Sequence, residues 1–182
     1  MINKKNINNI KKYFLIFLVY SIIGWCYEVF LEVFIYKWGF TNRGVLFGPY
    51  CPVYGFGALA FIICFNRFLK DKSLKQKLIM IPFIFLGCMG VATFIELITS
   101  YICEFFTGSW PWQTYADYKI NFQARIALSP SIRFGLGGLV FLYILQPFLD
   151  KIFSNISIKV LNILTIIFTI ILFIDLIYTF VF

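Results

Sequence analysis

Five long apolar segments, separated by shorter polar connections, constrain this chain more than any other feature. They cover residues 13–36, 50–69, 78–106, 131–149 and 160–181. A helix of about 20 apolar residues crosses a bilayer, and each segment approaches or exceeds that length. Lipid offers no hydrogen-bond partner to the backbone, so such segments cross it as helices. The sequence therefore predicts an all-α, polytopic membrane bundle of about five transmembrane helices.

Composition agrees with a single membrane domain over residues 1–182. Hydrophobic residues make up 61% of the chain and charged residues 13%, whereas a soluble domain is about half apolar and about a quarter charged. The net charge of +8 would suggest nucleic acid in a soluble protein. Here most basic residues flank the apolar segments, which is a topology signal. We therefore expect the lipid bilayer as a partner, and no nucleic acid.

The basic residues are distributed unevenly between the two ends of the segments. Most of them lie in the tail 1–12, in the loop 70–77 with the preceding Arg67, and in the connection 150–159. The cytoplasmic side of a membrane protein carries the excess of Lys and Arg. This distribution predicts a multi-pass protein of the cell membrane with its N-terminus in the cytoplasm and its C-terminus outside.

Several kinds of chemistry are excluded by what the sequence lacks. It contains no histidine, and its five cysteines form no CxxC motif. No Walker motif is present, and no glycine-rich loop follows a strand. We therefore expect no catalytic residue, no metal site and no cofactor, and an enzyme is the less favoured interpretation.

Acidic residues inside two of the apolar segments are the most informative polar feature. Glu28 and Glu32 lie one helical turn apart in the first segment, and Glu96 and Glu104 flank Ser100 at the same spacing of four in the third. Residues four apart share one helix face. A carboxylate within lipid is costly and usually serves a function. We therefore expect one polar stripe on each helix.

An arginine follows each of these acidic segments. Arg43 and Arg125 lie in the polar connections that come next, and a guanidinium group binds a carboxylate through two parallel hydrogen bonds. We predict that both arginines form structural or gating ion pairs. Glu28 and Glu96, the deeper acids, are instead favoured as functional residues.

The two halves of the chain resemble each other. Tyr54-Gly-Phe-Gly-Ala-Leu-Ala-Phe61 can be compared with Phe134-Gly-Leu-Gly-Gly-Leu-Val-Phe141, and each follows an acidic segment and a loop arginine. We predict a parallel internal repeat of two-span units. The first repeat covers about 13–69 and the second repeat about 78–149, and the segment 160–181 is an extra C-terminal span.

The glycines of these repeated segments predict close helix contacts, since small residues let helix backbones approach. They are Gly55, Gly57, Gly135, Gly137 and Gly138. Asp175 is a lone acid near the end of the last segment. Its default interpretation is snorkelling to the membrane surface or a subunit contact.

Candidate residues for a substrate- or ion-binding site follow from the acids, the arginines and the polar residues around them. They are Trp25, Glu28, Glu32, Asn42, Arg43, Glu96, Ser100, Glu104, Asn121 and Arg125. Two interpretations stay open. The carboxylates bind a cation, a proton or a cationic solute in a buried site between the two repeats, or ion pairs merely hold the helices together.

The same residues carry a family resemblance. The motifs are Gly24-Trp25-x-x-Glu28, Asn42-Arg43-Gly44 and Gly48-Pro49-x-x-Pro52-x-Tyr54-Gly55-x-Gly57, followed by Glu96, Ser100, Glu104, Trp112, Tyr115, Asn121, Arg125 and Ser131. Over residues 13–145 the chain resembles the ABC-transporter type IV membrane family, sometimes called CmpB-like. It departs from the pattern at Gln123-Ala124-Arg125, where a glycine is expected before the arginine.

That resemblance implies a small integral membrane protein that serves as a transporter component, with an ATPase subunit supplied by a separate chain. We therefore expect a permease-like subunit. Five spans are few for a transporter, which favours a homo-oligomer or a hetero-complex. The alternatives are an intramembrane lipid-modifying enzyme, with Glu28 or Glu96 as general base, and a non-catalytic scaffold or sensor.

Overall fold

A computed structural model describes residues 4–181, which are mainly helical. The helices are α1 (Lys4–Phe30), α2 (Pro52–Leu69), α3 (Leu74–Ile79), α4 (Ile81–Thr107), α5 (Leu128–Val140), α6 (Gln146–Asn155) and α7 (Ile158–Val181). Single π-helical segments, Leu31–Ile35 and Phe141–Leu145, continue α1 and α5. A 3₁₀-helix at Gln113–Asp117 precedes an antiparallel ribbon of β1 (Asn121–Phe122) and β2 (Ile126–Ala127).

Five helical segments are long and apolar enough to cross a membrane. They are Asn6–Ile35, Pro52–Leu69, Ile81–Thr107, Leu128–Asn155 and Ile158–Thr179. The predicted all-α membrane class and the number of spans are thereby confirmed. The internal repeat and the sidedness of the termini stay predictions.

The connection predicted at 150–159 is wrong. Helix α6 continues to Asn155 and α7 begins at Ile158, so two residues separate them. The sequence interpretation ended the fourth span at residue 149, just after Pro147. That proline lies inside a helix that is continuous from Leu128 to Asn155, and transmembrane helices tolerate proline where local π-helical adjustments satisfy the freed backbone groups. The π-helical segment before it lets the chain pass into α6 without a break.

The helices group into two compact units. Unit 1 contains the described residues up to Leu59 and those from Leu149 onward, and α1 packs against α7 there through Leu15, Leu18 and Leu161. Unit 2 is Ala60–Phe148, in which α4 packs against α5. Each unit therefore holds one of the two acid-bearing helices.

Three of the five glycines mark close helix contacts. A Cβ on Gly55 would lie 2.6 Å from the backbone oxygen of Phe17. In unit 2, one on Gly135 would lie 2.7 Å from the ring of Phe85, and one on Gly138 would lie 2.5 Å from Cβ of Cys88. The prediction is confirmed at these positions.

The same prediction is wrong for Gly57 and Gly137. Within the described part of the chain, no atom of a neighbouring element comes within 4 Å of a Cβ placed on either glycine. Residues two apart on a helix point to nearly opposite sides. A neighbouring helix that meets Gly55 therefore cannot meet Gly57.

Candidate functional site

The acid near the end of the first span forms the predicted ion pair with the loop arginine. Oε1 of Glu32 lies 2.7 Å from Nη2 of Arg43 and also accepts a hydrogen bond of 2.7 Å from the Thr41 hydroxyl. Glu32 is 3% exposed, whereas one-third of the Arg43 side chain is exposed, 33%. A buried carboxylate is therefore neutralised by a partly exposed cation from the loop that follows the first span.

The loop that carries Arg43 is folded by the residues on either side of it. Gly44 adopts φ +94°, a conformation that favours glycine. Asn42 accepts a hydrogen bond of 2.8 Å from the Trp25 indole and donates to the carbonyls of Leu46 and Phe47. Trp25 and Asn42 thus organise the loop, and their polar groups are engaged in doing so.

Asp175 of α7 anchors the end of this loop. Its carboxylate accepts hydrogen bonds from the backbone N–H groups of Phe47 at 2.9 Å and Gly48 at 2.7 Å, and also from the hydroxyl groups of Tyr50 and Thr179. It is 8% exposed. The interpretation as a snorkelling residue is therefore wrong, because the carboxylate is turned inward onto the loop. Burial, reinforced by the adjacent carboxylate, raises the pKa of Tyr50.

Glu28, the deeper acid of unit 1, has a tyrosine as its partner. The Tyr54 hydroxyl donates a hydrogen bond to Oε1 of Glu28. Gly24 leaves the space that the Tyr54 ring occupies, because a Cβ there would overlap the ring. Among the described residues, no basic side chain forms an ion pair with Glu28. Burial, together with the negative charge of Glu28, raises the pKa of Cys51 to about 11.

In unit 2 the arginine, rather than the acid, is the buried partner. Arg125 has a side chain that is 8% exposed, and its Nη2 lies 2.5 Å from Oε2 of Glu104, which is 43% exposed. Its Nη1 donates to the hydroxyl of Ser100 at 3.3 Å. The guanidinium carbon lies 4.0 Å from the ring centroids of both Tyr101 and Trp110. Stacking on two rings stabilises a cation that water does not reach.

A tight turn presents Arg125 to these groups. Gln123 and Ala124 have φ values of 53° and 54°, and the N–H of Arg125 donates to the carbonyl of Phe122 at 2.9 Å. Two consecutive residues with positive φ define a type I′ turn, which normally requires glycine or asparagine. The Asn121 side chain accepts a hydrogen bond from the N–H of Ala124. The departure from the family pattern thus places alanine where glycine is favoured.

Glu96, the deeper acid of unit 2, also has a tyrosine partner. The Tyr115 hydroxyl donates a hydrogen bond of 2.7 Å to its Oε1. Its Oε2 is buried and has no hydrogen-bond partner among the described residues, and no basic side chain there forms an ion pair with it. Burial, together with Glu96, raises the pKa of Tyr115. An oxygen with spare bonding capacity is therefore held inside the protein.

The two units thus share one arrangement of polar groups, in which one acid pairs with an arginine and the other accepts a hydrogen bond from a tyrosine. Tyr54 and Tyr115 were not among the candidate residues, although both lie within the motifs that carry the family resemblance. That the residues of both units line one shared cavity stays a prediction.

Two cavities of unit 1 lie beside the loop that follows the first span. These cavities, of about 340 and 410 Å³, are lined by residues between 42 and 50 together with α7, and Glu28 is not among the lining residues. In the part of the chain that the structure describes, no group of His, Cys, Asp and Glu residues is arranged to hold a metal ion.

Comparison with protein-family models matches the chain to a known family. The family model described as "Putative ABC-transporter type IV" matches residues 15–180. No curated protein and no solved structure matches the chain. The matched region includes both acid-bearing spans and extends through Asp175 in the last one.

Proposed function

Because the chain belongs to the family described as "Putative ABC-transporter type IV", we propose that it is the membrane subunit of a transporter and is permease-like, with Glu28 and Glu96 as its binding acids. One observation carries this proposal. Each acid lies within a membrane span and accepts a hydrogen bond from a tyrosine, and no basic side chain among the described residues pairs with it.

The chemistry of these acids indicates the class of solute. An unneutralised carboxylate in a low-dielectric environment attracts a cation or takes up a proton. The buried, unpartnered Oε2 of Glu96 supplies a further ligand oxygen or a protonation site. The solute that Glu28 and Glu96 serve is therefore a cation, a cationic organic molecule or a proton that is coupled to transport.

The arginine pairs have a different role. Glu32–Arg43 and Glu104–Arg125 each neutralise opposite charges within the chain, although Oε2 of Glu32 and Nε of both arginines are buried without a hydrogen-bond partner among the described residues. In each pair the loop supplies the arginine and the span supplies the acid, so the pair fixes the loop against its own helix. We assign these pairs to structure or gating, and Ser100, Asn42, Asn121 and Trp25 to their support.

The family description also bears on the energy source and the assembly that we propose. The sequence has no nucleotide-binding motif, so a transporter of this class needs an ATPase subunit from another chain. Five spans offer few helices to enclose a solute, which favours a homo-oligomer or a hetero-complex in the cell membrane. The positive-inside rule orients the subunit with its N-terminus in the cytoplasm and its C-terminus outside.

A non-catalytic scaffold or sensor is the second candidate. It is favoured by the pairing of both loop arginines and by the four hydrogen bonds that Asp175 receives, because such a network can serve rigidity alone. Under that function, Glu28→Gln and Glu96→Gln would leave activity unchanged. A charge swap, Glu32→Arg with Arg43→Glu, would restore the activity that either single change removes.

Purification of the tagged chain from its native membrane in mild detergent tests the proposal. We expect a nucleotide-binding subunit to copurify in a fixed ratio and the complex to hydrolyse ATP. We also expect Glu28→Gln and Glu96→Gln to assemble normally and to lose cation-dependent stimulation of that hydrolysis. A chain that purifies without any ATPase, or variants with unchanged stimulation, would contradict it.

A further inference from the structure

We propose that the basic turn, residues 67–79 between α2 and α4, is a binding surface for anionic phospholipid headgroups. It carries five basic residues and one acid, Asp71. The basic residues are Arg67, Lys70, Lys72, Lys75 and Lys77. Among the described residues, none of these five forms an ion pair. The turn therefore presents positive charge that the protein itself does not neutralise.

The local structure holds this surface in a defined shape. Asp71, with φ 57°, turns the chain after α2. Ser73 then begins α3 with a capping box, in which its hydroxyl accepts from the N–H of Gln76 and its own N–H donates to the Gln76 side chain. The Tyr143 hydroxyl donates to the carbonyl of Lys77 at 2.7 Å and fixes the end of α3. Lys75 and Lys77 are thus presented from an ordered helix, and Lys72 from the turn directly before it.

Apolar side chains accompany the charges. Leu74, Leu78 and Ile79 are 75%, 54% and 67% exposed, and they lie with Lys72, Lys75 and Lys77 in the eight residues 72–79. The turn joins the spans Pro52–Leu69 and Ile81–Thr107, so it lies at the membrane boundary. Clusters of basic residues next to a transmembrane helix attract anionic lipids, and neighbouring apolar side chains enter the acyl boundary. This combination favours a lipid headgroup over an acidic soluble protein.

Lipid titration of the full chain tests the inference. The detergent-solubilised protein is titrated with fluorescent phosphatidylglycerol and with phosphatidylcholine of the same acyl chains. We expect tighter binding of the anionic lipid, weakening as salt rises. Since each lysine near a charged surface changes affinity about fivefold, the double variant Lys72→Gln and Lys75→Gln should lose about 25-fold of that preference.

Matched variants make the result specific. Lys37→Gln with Lys119→Gln removes the same charge from exposed positions in other loops and should retain the preference. Lys72→Arg with Lys75→Arg preserves the charge and should also retain it. Equal losses in the turn and loop variants would overturn the inference. An unchanged lipid preference in the turn variant, with loss of a copurifying protein, would assign the surface to a protein partner and overturn it as well.

Discussion

Gly55→Ala should separate the first two spans, because α1 leaves no room for a side chain at that position. The new Cβ would lie 2.5 Å from Cδ2 and 2.6 Å from the backbone oxygen of Phe17. Ordinary van der Waals separation is about 3.5 Å, so the backbones must move apart by roughly 1 Å. A backbone oxygen cannot rotate away as a flexible side chain could.

The expected energy follows from a comparison with Gly57→Ala. Both substitutions gain the same helix propensity, about 1 kcal/mol, which cancels between them. Only Gly55 meets a neighbour, and overpacking of this kind costs about 1–3 kcal/mol. We therefore expect Gly55→Ala to be less stable than Gly57→Ala by about 1–3 kcal/mol. Gly57→Ala itself should be neutral or slightly stabilising.

Reversible unfolding of both variants in mixed micelles, with increasing denaturing detergent, measures this difference. The prediction also concerns the site, since Tyr54 directly precedes Gly55 and donates a hydrogen bond to Glu28. Gly55→Ala should weaken that hydrogen bond, whereas Gly57→Ala should leave it intact. Equal stability of the two variants, or a larger loss for Gly57→Ala, would refute the close approach of the helices.

Three further predictions concern other features. Arg125→Lys keeps the charge but loses the planar group stacked between two rings, so it should destabilise the protein by about 2–3 kcal/mol in the same unfolding assay. The control Arg133→Lys, at an exposed position, should change stability little. Equal effects of the two substitutions would contradict the buried stack. Ala124→Gly should raise stability by about 1 kcal/mol, because φ 54° is strained for alanine, and a lower unfolding midpoint would contradict this turn. In single-cysteine chains, Cys51 should react with a maleimide at pH 8 roughly a hundredfold more slowly, or slower still, than a cysteine introduced by Ser109→Cys. The reason is that the Cys51 thiol, with a pKa of about 11, stays protonated until the pH approaches that value. Similar rates for the two cysteines would contradict the burial of Cys51.

The ion pairs illustrate what the sequence could predict. Charges inside lipid need partners, and only a few arginines follow the acidic segments, so Arg43 and Arg125 could be matched to acids before the structure was known. Helix spacing alone also accounts for the failure at Gly57 and Gly137, since it places them on nearly the opposite side from Gly55 and Gly135.

Contacts between distant parts of the chain could not be predicted in this way. Asp175 binds a loop that lies more than a hundred residues earlier, and no local spacing encodes that encounter. Tyr115 likewise meets Glu96 only because a 3₁₀-helix, Gln113–Asp117, carries it there. The aromatic residues of that segment could equally have formed a membrane-interface belt. Their partners depend on tertiary packing rather than on pattern.

Carbodiimide labelling of the intact protein tests the central claim most directly, namely that Glu28 and Glu96 are the available acids and that Glu32 and Glu104 are committed to arginines. A hydrophobic carbodiimide modifies carboxyl groups that take up a proton in apolar surroundings, and mass spectrometry locates the product. We predict that Glu96 is modified most and Glu28 less, and that a bound cation protects both residues. Neither product should form in the corresponding glutamine variant. Preferential modification of Glu32, or an inert Glu96, would contradict the account.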